Sequence, residues 1–234
     1  MLSPQTIERE EHRSHRSPWL RAAVLGANDG IISTTSIMLG IAAANASNAV
    51  VLTAGFASLT AGAFSMAVGE YVSVSSQKDS EKADLEIEKR ELEHFEDEEL
   101  EELERIYIER GLSKKLAKQV AKELHDHDAL GAHARDELGI DQHALSDPMQ
   151  AALSSAVSFA IGAAFPIVAS VISPAGHKST GIIVASLVTL CITGAAGAAV
   201  GGGSKVMAAL RVLLGGAVAM AATAAIGHFL GVSL

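Results

Sequence analysis

The chain has 234 residues and a net charge of −9, yet its mean hydropathy is positive at +0.29. This combination argues against a soluble globular domain, which spreads its charges over its whole surface. Of the 27 acidic residues, 22 lie between positions 79 and 147, and only Asp29 and Glu70 interrupt the long apolar segments. The sequence therefore predicts an all-α membrane protein interrupted by one acidic, helical insert.

The first apolar run follows a polar N-terminal segment and is too long for a cleaved secretory signal, so we interpret it as a retained span. Five segments reach the roughly 20 residues that a membrane-spanning helix needs, and they cover positions 22–44, 49–74, 149–172, 181–203 and 206–230. The predicted organisation is an N-terminal segment at 1–21, helices 1 and 2 within 22–77, the insert at 78–147, and helices 3 to 5 within 148–234.

The insert is predicted to be helical throughout. Its first helix continues from the second span to about position 95, and a second covers about 97–110. A third begins after a Ser113 cap, and a shorter fourth covers about 129–138. The third helix carries apolar residues at a spacing of four, which is typical of a buried helix face, namely Leu112, Leu116, Val120 and Leu124.

Basic residues indicate the orientation. Four arginines precede the first span, eleven basic residues lie within the insert, and the first connection at 45–48 has none. Because cytoplasmic loops are enriched in Lys and Arg, the N-terminus and the insert are predicted to be cytoplasmic. The single cysteine, Cys191, leaves no partner for an intramolecular disulfide.

Asp29 lies within the first predicted span, where a carboxylate is costly and therefore suggests function. At helical spacing it shares a small, polar stripe with Gly26, Ser33, Ser36 and Gly40. The alternative is that Asp29 lies near the membrane edge, where its side chain caps the helix or extends to the water at the membrane surface.

The second span repeats this pattern. Met66 and Glu70 are one helical turn apart, so both side chains can reach one site. A thioether beside carboxylates suits a borderline-soft divalent cation such as Fe²⁺ better than Mg²⁺ or Ca²⁺. The alternative for Met66 is ordinary packing.

Acidic residues in the insert occupy an unexpected position. On its first helix, Leu85, Leu92 and Phe95 mark an apolar face, and four acids project to the same side: Glu81, Asp84, Glu88 and Glu91. Burying carboxylates is costly unless a cation or donor compensates. On the next helix, Glu99 and Glu102 lie nearest the apolar side. The competing interpretation is a solvated acidic surface.

Near the end of the insert, His133 and Glu137 stand at i and i+4, a spacing that lets two ligands share one metal ion. Imidazole suits Zn²⁺, Fe²⁺ and other transition metals.

Three stretches carry a family resemblance: GANDGIIS at 26–33, SMAVGEYVSVSSQ at 65–77 and DPMQAA at 147–152. In that order, they resemble the first-helix signature, the second-helix signature and the start of the third helix of the vacuolar iron transporter family, which includes the plant nodulin-21-like proteins. The resemblance covers nearly the whole chain after about position 17 and is to the long-insert form.

The resemblance implies five membrane helices per subunit, a homodimer and exchange of Fe²⁺ for protons. It implies a membrane pathway at Asp29, Met66 and Glu70. It also implies a cytoplasmic metal-binding insert whose ligands fall on Glu88, Glu91, Glu99, Glu102 and Glu137. The chain departs from the family where methionines can precede the last glutamate, because His133 stands in that region and is a candidate replacement ligand. Glu81 and Asp84 are further candidates.

These observations lead us to expect a non-enzymatic transporter that exports Fe²⁺, or alternatively Mn²⁺, from the cytoplasm. Because protons and metal compete for the same carboxylates, we expect it to work as a proton-coupled antiporter. Fe²⁺, Mn²⁺ or Zn²⁺ would be a transported or bound ion rather than a permanent cofactor, and no nucleic-acid partner is expected. The membrane would be the inner membrane in a bacterium or a vacuole-like membrane in a eukaryote. The alternative function is a membrane-anchored di-iron, ferritin-like oxidase or storage protein.

Overall fold

The computed structural model describes residues 18–141 and 147–233, with side chains described for 23–141 and 147–231. The predicted N-terminal segment at 1–21 therefore lies almost wholly outside the described residues. Every regular element in the described part is a helix. The helices are α1 Pro18–Ala43, α2 Asn48–His94, α3 Glu96–Glu109, α4 Lys114–Asp136, α5 Pro148–Ile172, α6 Lys178–Gly201 and α7 Lys205–Ser233.

Five helices, α1, α2, α5, α6 and α7, are long and apolar enough to cross a membrane. This confirms the all-helical class and the five predicted spans. The first half of α2 is apolar, whereas its second half carries the acidic residues of the predicted insert. The described residues form two compact units, one within Met1–Glu70 and Met149–Leu234 and one within Tyr71–Pro148.

In the first unit, α1 packs against α6 and α7, and α6 packs against α7. Its buried apolar core includes Ile31, Met38 and Leu190. Hydrogen bonds between hydroxyl groups join α1 to its neighbours: Thr35 and Ser186 are 2.7 Å apart, and Thr34 and Ser58 are 3.1 Å apart. Such pairs satisfy polar groups that no water reaches.

Close approach of α1 and α5 depends on glycine. A Cβ atom at Gly26 would lie 2.9 Å from the carbonyl oxygen of Ser155, and one at Gly162 would overlap the carbonyl oxygen of Ala27. Small residues let two helix backbones approach closely, which favours association in a membrane.

In the second unit, α3 packs against α4 around a core that includes Leu103, Tyr107, Ala117 and Ala121. The Ser113 hydroxyl caps α4 by accepting a hydrogen bond from the Leu116 amide, as predicted. The prediction that Leu116 lies on the buried face of this helix is wrong, because Leu116 is 45% exposed. The buried stripe runs through the alanines instead, because they allow α3 to approach closely.

The predicted third and fourth helices of the insert are two segments of α4 that meet at a kink. Asp128 has non-helical backbone angles, and its carboxylate accepts a hydrogen bond from the Gly131 amide at 3.0 Å. Asp128 thus acts as a cap for the second segment. Phe95, predicted on the apolar face, lies between α2 and α3 and is 55% exposed, so that assignment is wrong.

Candidate metal centre

Four potential ligands meet within the second unit. Glu88 comes from the polar half of α2, Glu99 from the first turn of α3, His133 from the second segment of α4, and Glu137 from the C-cap of α4. One ligand atom from each residue lies within 4.8 Å of the others. Among the described residues, no other group of three or more acidic, histidine or cysteine side chains meets this condition.

His133 is at the centre of this cluster. Its Nδ1 lies 3.1 Å from Glu137 Oε2 in hydrogen-bonding geometry, 3.0 Å from Glu88 Oε1 and 3.7 Å from Glu99 Oε2. The side chains of His133 and Glu88 are 0% and 3% exposed, respectively. Glu88 Oε1 has no hydrogen-bond partner despite its short distance to His133. A buried acceptor without a donor is unusual and calls for a compensating group.

The electrostatics of the cluster are unbalanced, because three carboxylates surround one imidazole. Burial, followed by repulsion from Glu137, raises the pKa of Glu88 to about 7, although His133 acts in the opposite direction. Burial also raises the pKa of Glu99. A divalent cation would compensate this concentration of negative charge.

A separate polar network fixes the end of α4. Asp136 accepts a hydrogen bond from the Tyr107 hydroxyl at 2.7 Å and pairs with the Arg110 guanidinium. Burial tends to raise the pKa of Asp136, but hydrogen bonds from Tyr107, Arg110 and Arg135 outweigh it and lower the pKa to about 2. Since Glu137 is the next residue, this network helps to hold the cluster in place.

The donor set fits a divalent transition metal. Carboxylate oxygens accept a wide range of divalent ions, whereas an imidazole nitrogen favours Fe²⁺ and Zn²⁺ over Mg²⁺ and Ca²⁺. Ligands from three helices can fix the geometry of such a site once an ion compensates their charge.

The remaining predicted ligands in the insert lie outside this group of four. Glu91 and Asp84 are exposed. Glu102 is 41% exposed and lies 3.5 Å from Arg105, while Glu81 accepts a hydrogen bond from Gln77 at 2.8 Å. Glu91 and Glu102 still act on the cluster through their charge, since both contribute to the raised pKa of Glu99.

The predicted membrane residues lie on α1 and α2. The side chain of Asp29 is exposed, and its backbone carbonyl accepts a hydrogen bond from the Ser33 hydroxyl at 2.7 Å. Met66 and Glu70 are half-buried. Their role in a metal pathway stays a prediction.

Two further features bear on metal chemistry. The side chain of His125 is 9% exposed and lies next to His133, with ring centroids 6.2 Å apart. In the sequence, His125 was notable only for its place near His133 and several acids. Glu91 and His94 form the single Glu-x-x-His pair in the sequence. Both are exposed, and His94 Nδ1 lies 2.7 Å from the Arg90 carbonyl oxygen.

Taken together, the described residues define an all-α protein with five helices of membrane-spanning length and a helical unit that contains a carboxylate–imidazole cluster. The sequence profile of the VIT family matches residues 20–228. The chain belongs to the VIT family, which confirms the resemblance seen in its motifs.

Individual relatives agree with this assignment. The vacuolar iron transporter of Acanthamoeba castellanii is 46% identical over 224 residues, which cover 94% of this chain and 83% of the relative. Vacuolar iron transporter homolog 2 of Oryza sativa subsp. japonica is 39% identical, with 90% of each chain covered. Vacuolar iron transporter homolog 2.1 of Arabidopsis thaliana is 34% identical, with 97% of this chain and 89% of the relative covered.

Proposed function

We propose that the chain is an integral membrane transporter that exports a divalent transition metal, Fe²⁺ or Mn²⁺, from the cytoplasm. The observation that carries this proposal is the cluster of Glu88, Glu99, His133 and Glu137, in which Glu88 and His133 are buried and whose excess negative charge calls for a cation. The similarity to relatives named vacuolar iron transporters supports iron as the leading cargo. A vacuole-like membrane fits those names.

The proposed pathway through the membrane uses Asp29, Met66 and Glu70. A dehydrated divalent ion in a low-dielectric pathway needs compensating anions. Two subunits of a homodimer would provide two copies of each carboxylate, and the exposure of Asp29 in the single subunit is consistent with a position that a second copy completes. The Met66 thioether would favour Fe²⁺ over harder ions.

The direction of transport and the coupling to protons form the second part of the proposal. The concentration of Lys and Arg in the N-terminal segment and the insert supports their cytoplasmic location. The cluster would then collect metal from the cytoplasm. Clustered carboxylates bind protons more tightly when metal is absent, so protons and metal compete for the same oxygens. Alternating exposure of these carboxylates would exchange outward metal for inward protons.

The test uses sealed proteoliposomes under anaerobic conditions, loaded with a metal-quenched dye and, in parallel, with a pH dye. Metal entry coupled to a rise in internal pH is expected, and liposomes without protein are the control. Metal entry without a pH change would overturn the proton coupling only. Oxygen consumption in air without metal entry would overturn the transporter and favour the oxidase.

A further inference from the structure

Two polar contacts join α1 to α6 at matching positions. The Thr193 hydroxyl donates a hydrogen bond to the side-chain oxygen of Asn28 at 2.5 Å, and the Thr35 and Ser186 hydroxyl oxygens are 2.7 Å apart. On each helix the two positions are separated by about two helical turns, so both contacts lie on one face of α1 and one face of α6. The helices run antiparallel through these contacts, and α1 cannot rotate about its own axis without breaking both.

Thr193 differs from other threonines of the membrane helices in where its hydroxyl points. The hydroxyls of Thr189 and Thr223 donate to carbonyl oxygens of their own helices at 2.8 and 2.9 Å. The Thr193 hydroxyl lies 3.2 Å from the Leu190 carbonyl oxygen of its own helix and is closer to Asn28 on α1. Because a hydroxyl has one proton to donate, the shorter distance indicates that Thr193 acts between helices.

The residue that Thr193 holds comes directly before Asp29. The two side chains therefore leave α1 about 100° apart, with Asn28 half-buried and Asp29 exposed. A helix with its side chains has a radius of about 5 Å, so a rotation of α1 by about 20° would move the Asp29 carboxylate by about 2 Å. Metal ligands must lie within about 0.2 Å of their bonding distance. Such a rotation would take the carboxylate away from an ion in the pathway.

We propose that Thr193 is a positioning residue for the membrane pathway. Its hydroxyl holds Asn28, and Asn28 fixes the direction in which α1 presents the Asp29 carboxylate. Thr193 acts through Asn28 and is not itself a metal ligand. This inference rests on the proposed function in one respect, namely that Asp29 binds the transported ion.

The first test is anaerobic Fe²⁺ flux in proteoliposomes. Thr193→Val replaces the hydroxyl with a methyl group and should lower the maximal flux by about 10-fold or more, as expected for a misplaced reacting group. Thr193→Ser keeps the hydroxyl and should retain the parental flux. Thr189→Val is the matched control, because Thr189 lies one turn away on α6, is 9% exposed and donates within its own helix. Parental flux in Thr193→Val would overturn the inference.

A double-mutant cycle tests whether Thr193 acts through Asn28. Residues that act through one contact have non-additive effects. The Asn28→Ala/Thr193→Val variant should therefore lose no more flux than Asn28→Ala alone. A loss equal to the product of the two single losses would show that Thr193 acts independently of Asn28 and would overturn the inference.

A third measurement needs no metal flux. In a Cys191→Ser background, Asp29→Cys carries a single thiol, whose rate of reaction with a small membrane-permeable reagent is measured in detergent. Addition of Thr193→Val should change this rate, and addition of Thr189→Val should leave it unchanged. Asn28→Ala should also change it, which keeps the test decisive if Thr193→Val fails to fold. Equal rates in all the folded proteins would overturn the inference.

The two kinds of failure are distinguishable. Near-parental flux in Asp29→Ala, measured in the same assay, would contradict the proposed pathway. The thiol measurement would still report whether Thr193 fixes the direction of residue 29 on α1.

Discussion

At the scale of single residues, the strongest feature is a set of acids that the fold buries. Glu88 is 3% exposed although it lies on a helix whose neighbouring acids, Glu86 and Glu93, are exposed. Burial of a carboxylate without compensation costs several kcal/mol. Selective burial of Glu88 is therefore better explained by a bound cation than by a general acidic surface.

Substitution of the buried acids should remove the stabilisation that metal provides. A ligand present at about 100 times its Kd stabilises the folded state by about 2.7 kcal/mol. The parent protein should therefore melt at a higher temperature with anaerobic Fe²⁺, and the Glu88→Gln/Glu99→Gln variant should show a much smaller shift. Relief of repulsion should leave the metal-free variant at least as stable as the metal-free parent.

The matched control for this melt is Glu86→Gln/Glu93→Gln, which removes two exposed acids from the polar half of α2. It should retain the parental response to Fe²⁺. Equal metal-induced shifts in all three proteins would show that the cluster does not bind metal.

The raised pKa of Glu88 also predicts a dependence on pH. The ordinary pKa of a glutamate here is 4.5, whereas the folded value is about 7. The folded state therefore holds this proton more tightly than the unfolded state. The contribution of this proton to the stability of the metal-free protein is present below pH 4.5 and is lost as the pH rises through 7. Because metal binds the deprotonated carboxylate, the stabilisation by metal should increase over the same range.

Thermal melts of the full-length protein at pH 5.5 and 7.5, with and without Mn²⁺, measure this effect. The metal-induced shift should be larger at pH 7.5 in the parent. In Glu88→Gln, the metal-induced shifts at pH 5.5 and at pH 7.5 should differ less than they do in the parent. A difference as large as in the parent would contradict the assignment of the proton to Glu88.

At the scale of elements, the close pairing of α1 and α5 is set by glycine. Gly162→Ala would place a methyl group against the backbone of Ala27, which cannot move like a flexible side chain. We expect destabilisation by about 1–3 kcal/mol, as in overpacked cores. The readout is the melting temperature in detergent.

The matched control is Gly215→Ala, because no atom lies within 4 Å of the Cβ position there. In a helix interior that change should be neutral or stabilising by about 0.5–1 kcal/mol. A Gly162→Ala protein as stable as Gly215→Ala would show that the α1 and α5 backbones are not in close contact.

The helices were largely predictable from the sequence, whereas the positions of individual side chains were not. Long apolar runs and the Ser113 cap predicted the elements, because hydrophobicity and capping act locally. The packing of α3 against α4 determines that Ala117 is buried while Leu116 is exposed, and that the side chain of His125 is only 9% exposed. That packing comes from contacts between helices, which periodicity within one helix does not contain.

At the scale of the whole molecule, the chain combines helices of membrane-spanning length with a helical unit that contains the candidate metal centre, and we propose that each part has a different effect on transport. The proposed pathway carboxylates, Asp29 and Glu70, would be needed for passage at any metal concentration, because they would offset ion dehydration. The cluster of Glu88, Glu99, His133 and Glu137 would raise the efficiency of capture at low metal concentration.

The most direct measurement is anaerobic Fe²⁺ flux into proteoliposomes as a function of Fe²⁺ concentration, for the parent, Asp29→Ala and Glu88→Gln/Glu99→Gln. Asp29→Ala should reduce flux to the level of protein-free liposomes at every concentration while the purified protein remains folded. The cluster variant should need a higher Fe²⁺ concentration for half-maximal flux but approach the parental maximum. Near-parental flux in folded Asp29→Ala would contradict the proposed membrane pathway, and absence of flux in the parent would contradict metal export altogether.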